Sequence, residues 1–190
     1  GGGMLVGDLD SADGIARFLC SGSECSVVSV DYRLSPENKF PAALEDCYNV
    51  TKWIFDHPKD FDTNPEQIAV GGDSAGGNLA AAVSIMSRDK KQPNIAHQLL
   101  VYPMLDCNFS TSSYIDNSEG YLLTKSAMKS YWNQYLATEK DKDNPYALPL
   151  QLKDYSNLPP ALIITTEFDP LRDEGELYAK RLKDSKVNVV

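Results

Sequence analysis

This sequence predicts an α/β fold, a mostly parallel sheet with helices on both faces. Three observations carry the prediction. Short apolar or β-branched runs recur at 26–31, 67–71, 98–103 and 160–166. Segments with helical spacing of apolar residues follow three of them, at 41–55, 75–88 and 172–183. The junction between the second run and its helix is Gly72-Asp73-Ser74-Ala75-Gly76-Gly77, a serine set between glycines where a strand must turn sharply into a helix.

The first run, Ser26-Val27-Val28-Ser29-Val30-Asp31, has the β-branched composition of a strand buried on both faces. It feeds the turn Leu34-Ser35-Pro36-Glu37. Pro41 opens a helix to about residue 55, with Leu44, Tyr48, Thr51 and Phe55 on one face, and His57-Pro58 ends it. The run at 67–71 is the second strand, and the helix after it carries Leu79, Val83 and Met86 as a core stripe. Gln98-Leu99-Leu100-Val101-Tyr102-Pro103 is the third strand.

From 105 to 144 the pattern changes to polar loops with one helix near 124–137. That is too long for a plain connection and reads as a cap-like insertion over the active face. Pro160-Ala161-Leu162-Ile163-Ile164-Thr165-Thr166 is the fourth strand. Its helix has Asp173 and Glu174 in the first turn and Lys180, Arg181 and Lys183 in the last, which suits the helix macrodipole. The closing Val187-Asn188-Val189-Val190 reads as the start of a further strand, and the chain opens on Gly1-Gly2-Gly3. Residues 1–190 are therefore expected to be a partial domain, truncated at both ends.

With 190 residues, 42% of them hydrophobic, there is enough chain for one globular domain. A formal charge of -9 argues against nucleic acid and against anionic lipid as partners. No apolar run approaches the length of a membrane span. Cys20, Cys25, Cys47 and Cys107 form no C-x-x-C pair and have no neighbouring histidine, so they are expected to be small buried hydrophobes and not metal ligands.

A serine hydroxyl is a poor nucleophile until a base takes its proton and a third group orients that base. Ser74 is the candidate nucleophile, and Ala75 offers a backbone N–H from the start of the helix. Asp169, in Glu167-Phe168-Asp169-Pro170-Leu171-Arg172-Asp173-Glu174, follows the fourth strand and so lies at the same carboxyl edge of the sheet as Ser74. It is the candidate to orient a histidine, its alternative role being a helix cap before Pro170. Glu167 and Asp173 read as structural. Consecutive glycines at 1–3 let two N–H groups turn toward one point, as an oxyanion hole requires. The base is missing: His57 and His97 both precede Asp169, whereas a nucleophile elbow takes its triad in the order Ser, Asp or Glu, His.

The glycine run, Asp31-Tyr32-Arg33-Leu34-Ser35-Pro36-Glu37 with Phe40-Pro41-Ala42-Ala43, the elbow at 72–77 and the stretch 169–175 together resemble the hormone-sensitive-lipase family of α/β-hydrolase-fold esterases. The resemblance spans nearly the whole chain in family order. It implies a serine carboxylesterase or lipase that acts on a small-molecule ester and needs neither cofactor nor metal. It assigns Ser74 and Asp169 to the triad, and Gly2, Gly3 and Ala75 to the oxyanion hole. The catalytic histidine is expected beyond Val190, and the strand leading into the glycine loop lies, in that fold, between the strands expected at 26–31 and 67–71. Without it those two mispair or leave a gap. The same resemblance includes plant hormone receptors that keep the serine without the histidine, so a non-catalytic receptor is the alternative reading.

Overall fold

The computed structural model describes every residue of the chain except Asp62. Three parallel strands form its sheet, in the order β1 (Ala69–Asp73), β2 (His97–Val101) and β3 (Ala161–Ile164). In register Ala69 faces His97, Asp73 faces Val101, and Val101 faces Ile164. All three strands therefore end level, and the loops leaving that edge carry Ser74, Tyr102 and Asp169. At the far side of β3, Ala161 N–H donates to the Asn188 carbonyl and Ile163 N–H to that of Val190, each at 3.0 Å. The alternating valines thus run parallel to β3, as a nascent strand should.

Against the sheet lie α3 (Ala75–Lys90), which crosses β1 and β2, and α6 (Arg172–Asp184), which packs on β3; α2 (Ala42–Asp56) packs on α3. The expected α3 stripe is buried, and burial extends to Ala80, Ala81, Ala82 and Ile85. Small side chains let this helix approach the sheet closely and bury more than one face. Ile85 and Leu100 meet Tyr178 and Leu182 of α6 in one apolar cluster, while Leu79 and Val83 share another with Leu44 of α2.

Residues 105–144 hold α4 (Ser112–Asp116) and α5 (Lys125–Tyr135), the latter close to the expected helix. Tyr114, Met128, Trp132 and Tyr135 are fully buried in the cluster that contains Leu79, so four large side chains anchor this polar segment.

Two expectations are corrected, and one element is new. The run at 26–31 forms no strand: Val27 and Val28 are exposed, and a cleft of about 510 Å³ opens between residues 28–31 and Asp46, Asn49 and Val50 of α2. β-branched composition supplies no partner for the backbone, and β1 leaves its outer edge unpaired among the described residues. A gap forms, not a mispaired strand. The new element, α1 (Leu9–Ser23), is a helix of 15 residues with none buried. Its signal was local: Asp8 accepts the Ser11 N–H at 2.8 Å, and the Ser11 hydroxyl accepts the Asp8 N–H at 2.9 Å, a reciprocal capping box. Second, no cysteine is fully buried. Cys20 and Cys25 lie on or just beyond this unpacked helix and are exposed, while Cys47 and Cys107 are half-buried; all four are free thiols.

Candidate active site

The elbow follows from steric exclusion. Ser74 has φ 51° and ψ -115°, a backbone state that costs an L-residue strain. Neighbours hold it there: Ser74 N–H donates to the Val101 carbonyl at 2.9 Å, and the Ser74 carbonyl accepts from Met104 and Asn78 N–H, each at 3.1 Å. The turn is so tight that a Cβ on Gly72 would lie 2.4 Å from the Gly76 carbonyl carbon, and one on Gly77 would lie 2.9 Å from Pro103. Glycine is the only residue that fits at either point. Ser74 itself is half-buried, at the N-terminus of α3. Ala75 is the first residue of that helix, so its N–H has no intrahelical acceptor and remains available.

Gly2 and Gly3 form a single 3-10 turn, Gly2–Met4, with φ 75° and 62°. This turn contacts α3, and a Cβ on Gly76 would come within 3.3 Å of the Gly1 nitrogen, so the glycine loop abuts the elbow. Three groups clamp it. The Tyr32 hydroxyl donates to the Gly1 carbonyl at 3.0 Å, Ser35 N–H donates to the Met4 carbonyl at 2.9 Å, and the Tyr131 ring lies flat against Gly3. Any side chain at position 3 would collide with that ring at about 2.6 Å.

Asp169 is half-buried on the loop after β3. Its Oδ1 accepts the Leu171 N–H at 2.8 Å and its Oδ2 accepts the Thr166 hydroxyl at 3.2 Å. Burial pushes its carboxyl above the usual aspartate range, against the lowering effect of those two donors. The bond to Leu171 N–H lies within the loop, and the cap of α6 falls on Leu171 with no side-chain capping bond, so Asp169 is not the helix cap weighed for it above. Asn117 supports the loop from outside, donating to the Glu167 and Asp169 carbonyls at 3.3 Å. Asp173 accepts the Ser113 N–H at 2.9 Å and pairs with Arg172, a structural use; Glu167 offers its carbonyl to Arg172.

Neither histidine joins this edge. His57 caps the end of α2, its Nδ1 2.9 Å from the Trp53 carbonyl and its ring stacked on Trp53. His97 begins β2, four residues before Val101, which places it about 13 Å down the strand from the edge where Ser74 sits.

Two residues of the site escaped the sequence reading. Tyr102, expected to continue β2, leaves it with φ 36°, and its N–H donates to the Ile164 carbonyl at 2.6 Å. Burial, with the negative charges of Asp73 and Asp169, raises its hydroxyl pKa. Glu174 is fully buried in α6, and burial pushes its carboxyl up to about 8. Periodicity marks position 174 as a first-turn acid and is blind to what lies across the loop.

The family described as alpha/beta hydrolase fold matches residues 1–190. The chain is 42% identical over 188 residues to an arylesterase of Saccharolobus solfataricus, covering 98% of this chain and 61% of that protein. It is 44% identical over 189 residues to the carboxylic ester hydrolase LipN of Mycobacterium tuberculosis, covering 96% and 50%. Among solved structures, a thermostable esterase from Pseudomonas putida superposes with a TM-score of 0.97 at 39% identity, covering all of this chain and 60% of the other. An esterase of Pyrobaculum calidifontis gives 0.95 at 47% identity, covering 100% and 62%. The chain thus spans about half to three-fifths of the length of these relatives. These matches bear out the resemblance to hormone-sensitive-lipase-type esterases, and the chain belongs to the alpha/beta hydrolase fold family.

Proposed function

We propose that this chain carries the nucleophile, the acid and the oxyanion hole of a serine carboxylesterase that works through an acyl-enzyme. The observation that carries the reading is the forced φ of 51° at Ser74, allowed by the close approach of Gly72 and Gly76 and held by hydrogen bonds to Val101, Met104 and Asn78. Ser74 Oγ attacks the ester carbonyl, and the N–H groups of Gly2, Gly3 and Ala75 take up the negative charge that develops on its oxygen. Asp169 stands two strands away from the elbow, about 10 Å at the usual interstrand spacing. That span accommodates an imidazole bridging the two, with the aspartate fixing its tautomer.

The imidazole comes from chain outside these 190 residues, since His57 is held at the end of α2 and His97 lies at the far end of β2. Segment 105–144 serves as a cap-like wall beside the site: Tyr121 stacks on Phe168, next to Asp169, at 5.1 Å, and both rings are exposed with Leu122 close in sequence. Such apolar walls suit small or medium acyl or alcohol groups. The relatives named as an arylesterase and a carboxylic ester hydrolase support the same substrate class.

A fluorophosphonate probe on the full-length protein tests the reading. Labelling at Ser74 that vanishes in Ser74→Ala, with loss of ester turnover on the order of 10⁶-fold, is expected; an unlabelled wild-type protein sinks the hydrolase reading. Residues 1–190 alone are expected to release no burst of nitrophenol from an activated ester.

A further inference from the structure

Glu174 is a carboxyl buried to 1% exposure. Its Oε2 accepts two backbone donors at once, Leu105 N–H at 2.6 Å and Asp106 N–H at 3.0 Å. The adjoining residue of the same loop, Met104, gives its N–H to the Ser74 carbonyl, and its carbonyl accepts the Asn78 side-chain amide at 2.9 Å. Residues 104–106 are therefore a bridge. One end is bonded to the nucleophile's own peptide and to α3; the other is bonded to a side chain in the first turn of α6, five residues after Asp169.

We propose, on the hydrolase reading above, that Glu174 is a positioning residue that fixes the separation of the nucleophile elbow from the acid loop by holding the 104–106 bridge. The bridge has other ties, the Leu105 carbonyl accepting the Leu150 N–H at 3.2 Å and Asp106 Oδ1 the Gln151 side-chain amide at 3.1 Å, but the hydrogen bonds that join it to α6 are those of Glu174. α6 begins directly after the Asp169 loop, so a shift of its first turn moves Asp169, while the short bridge transmits any slack to Ser74. A buried carboxyl with one oxygen short of partners carries a desolvation cost. Oε1 and the Tyr114 hydroxyl face one another at the buried end of α4, and neither meets another polar partner among the described residues. Asp106 on the bridge, Cys107 just after it and Asp169 are the other titratable groups around this pair. Burial favours the protonated carboxyl, and Oε2 accepts both N–H groups in that state. Glutamine mimics that state: its carbonyl oxygen accepts both N–H groups and its amide donates.

The experiment compares Glu174→Gln and Glu174→Leu in the full-length protein, with kcat expressed per serine titrated by a fluorophosphonate. A merely structural role lowers the number of titratable serines and leaves turnover per site unchanged. The positioning role predicts a tenfold or greater loss of per-site kcat in Glu174→Leu with KM within about twofold, and near wild-type turnover in Glu174→Gln. Should the leucine variant not fold, Glu174→Asp, which withdraws the carboxyl by one methylene, is expected to show the same loss. Unchanged per-site kcat in the leucine or aspartate variant, or equal loss in the glutamine variant, overturns the proposal. A wild-type protein that takes no label fails the hydrolase reading instead.

Discussion

Helices α1 and α3 are nearly the same length, 15 and 16 residues, and each begins at the end of a glycine-containing turn, yet twelve residues of α3 are buried and none of α1 is. Local sequence alone would not rank them so. α1 has the better N-terminal cap, a reciprocal Asp8–Ser11 box, whereas α3 is capped by a strained Ser74 whose side chain makes no capping bond. α3 persists because β1, β2 and α2 surround it; α1 persists on its cap and its own backbone bonds. The candidate site lies on the helix whose position is dictated by packing, where a displaced Ser74 would cost contacts along the entire helix.

The contrast can be broken first in the core. Ile85→Ala, at a fully buried position between α3 and α6, is expected to lower the unfolding free energy by about 2–5 kcal/mol in urea titration. A loss no greater than that of a surface site would mean that α3 is not the packed element described. Next is the proton held by Glu174. Its folded pKa of about 8 lies above the ordinary 4.5, so the folded chain retains a proton that the unfolded chain releases. Stability from this group is therefore full below about 4.5 and is lost as pH rises through about 8. Urea midpoints on either side of that window should fall more steeply with pH in the wild type than in Glu174→Gln, and parallel slopes would remove the buried acid from the account.

Smaller effects belong to α1. Asp8→Ala should cost about 1 kcal/mol of local helix stability, seen as faster amide exchange across residues 9–23 with the global midpoint unmoved. Ile15→Ser, at a position 59% exposed, should change global stability by less than about 0.5 kcal/mol. A cost above 2 kcal/mol there would show that α1 is packed in solution.

Much of the sheet was legible because parallel buried strands announce themselves as short apolar runs: β1, β2 and β3 lie within two residues of their expected starts. The same rule misled at 26–31, where Val27, Val28 and Val30 have the right composition and no neighbour to bond. At the site, Ser74 could be picked out because glycine spacing records a backbone clash, the Gly72–Gly76 contact. Tyr102 and Glu174 could not, since one is set by a backbone bond to a neighbouring strand and the other by two N–H groups of a distant loop.

Turn chemistry and periodicity, acting over a few residues, are sufficient to specify an elbow serine, the helix after it, and an acid following a later strand. Those features depend on dihedral preference and on which side chains share a face, both local properties. Which β-branched run becomes a strand, which helix is buried, and which carboxyl is stripped of water were settled only when the chain folded. Each depends on a partner supplied from elsewhere in the chain, and the free energy of burial exists only once that partner is in place.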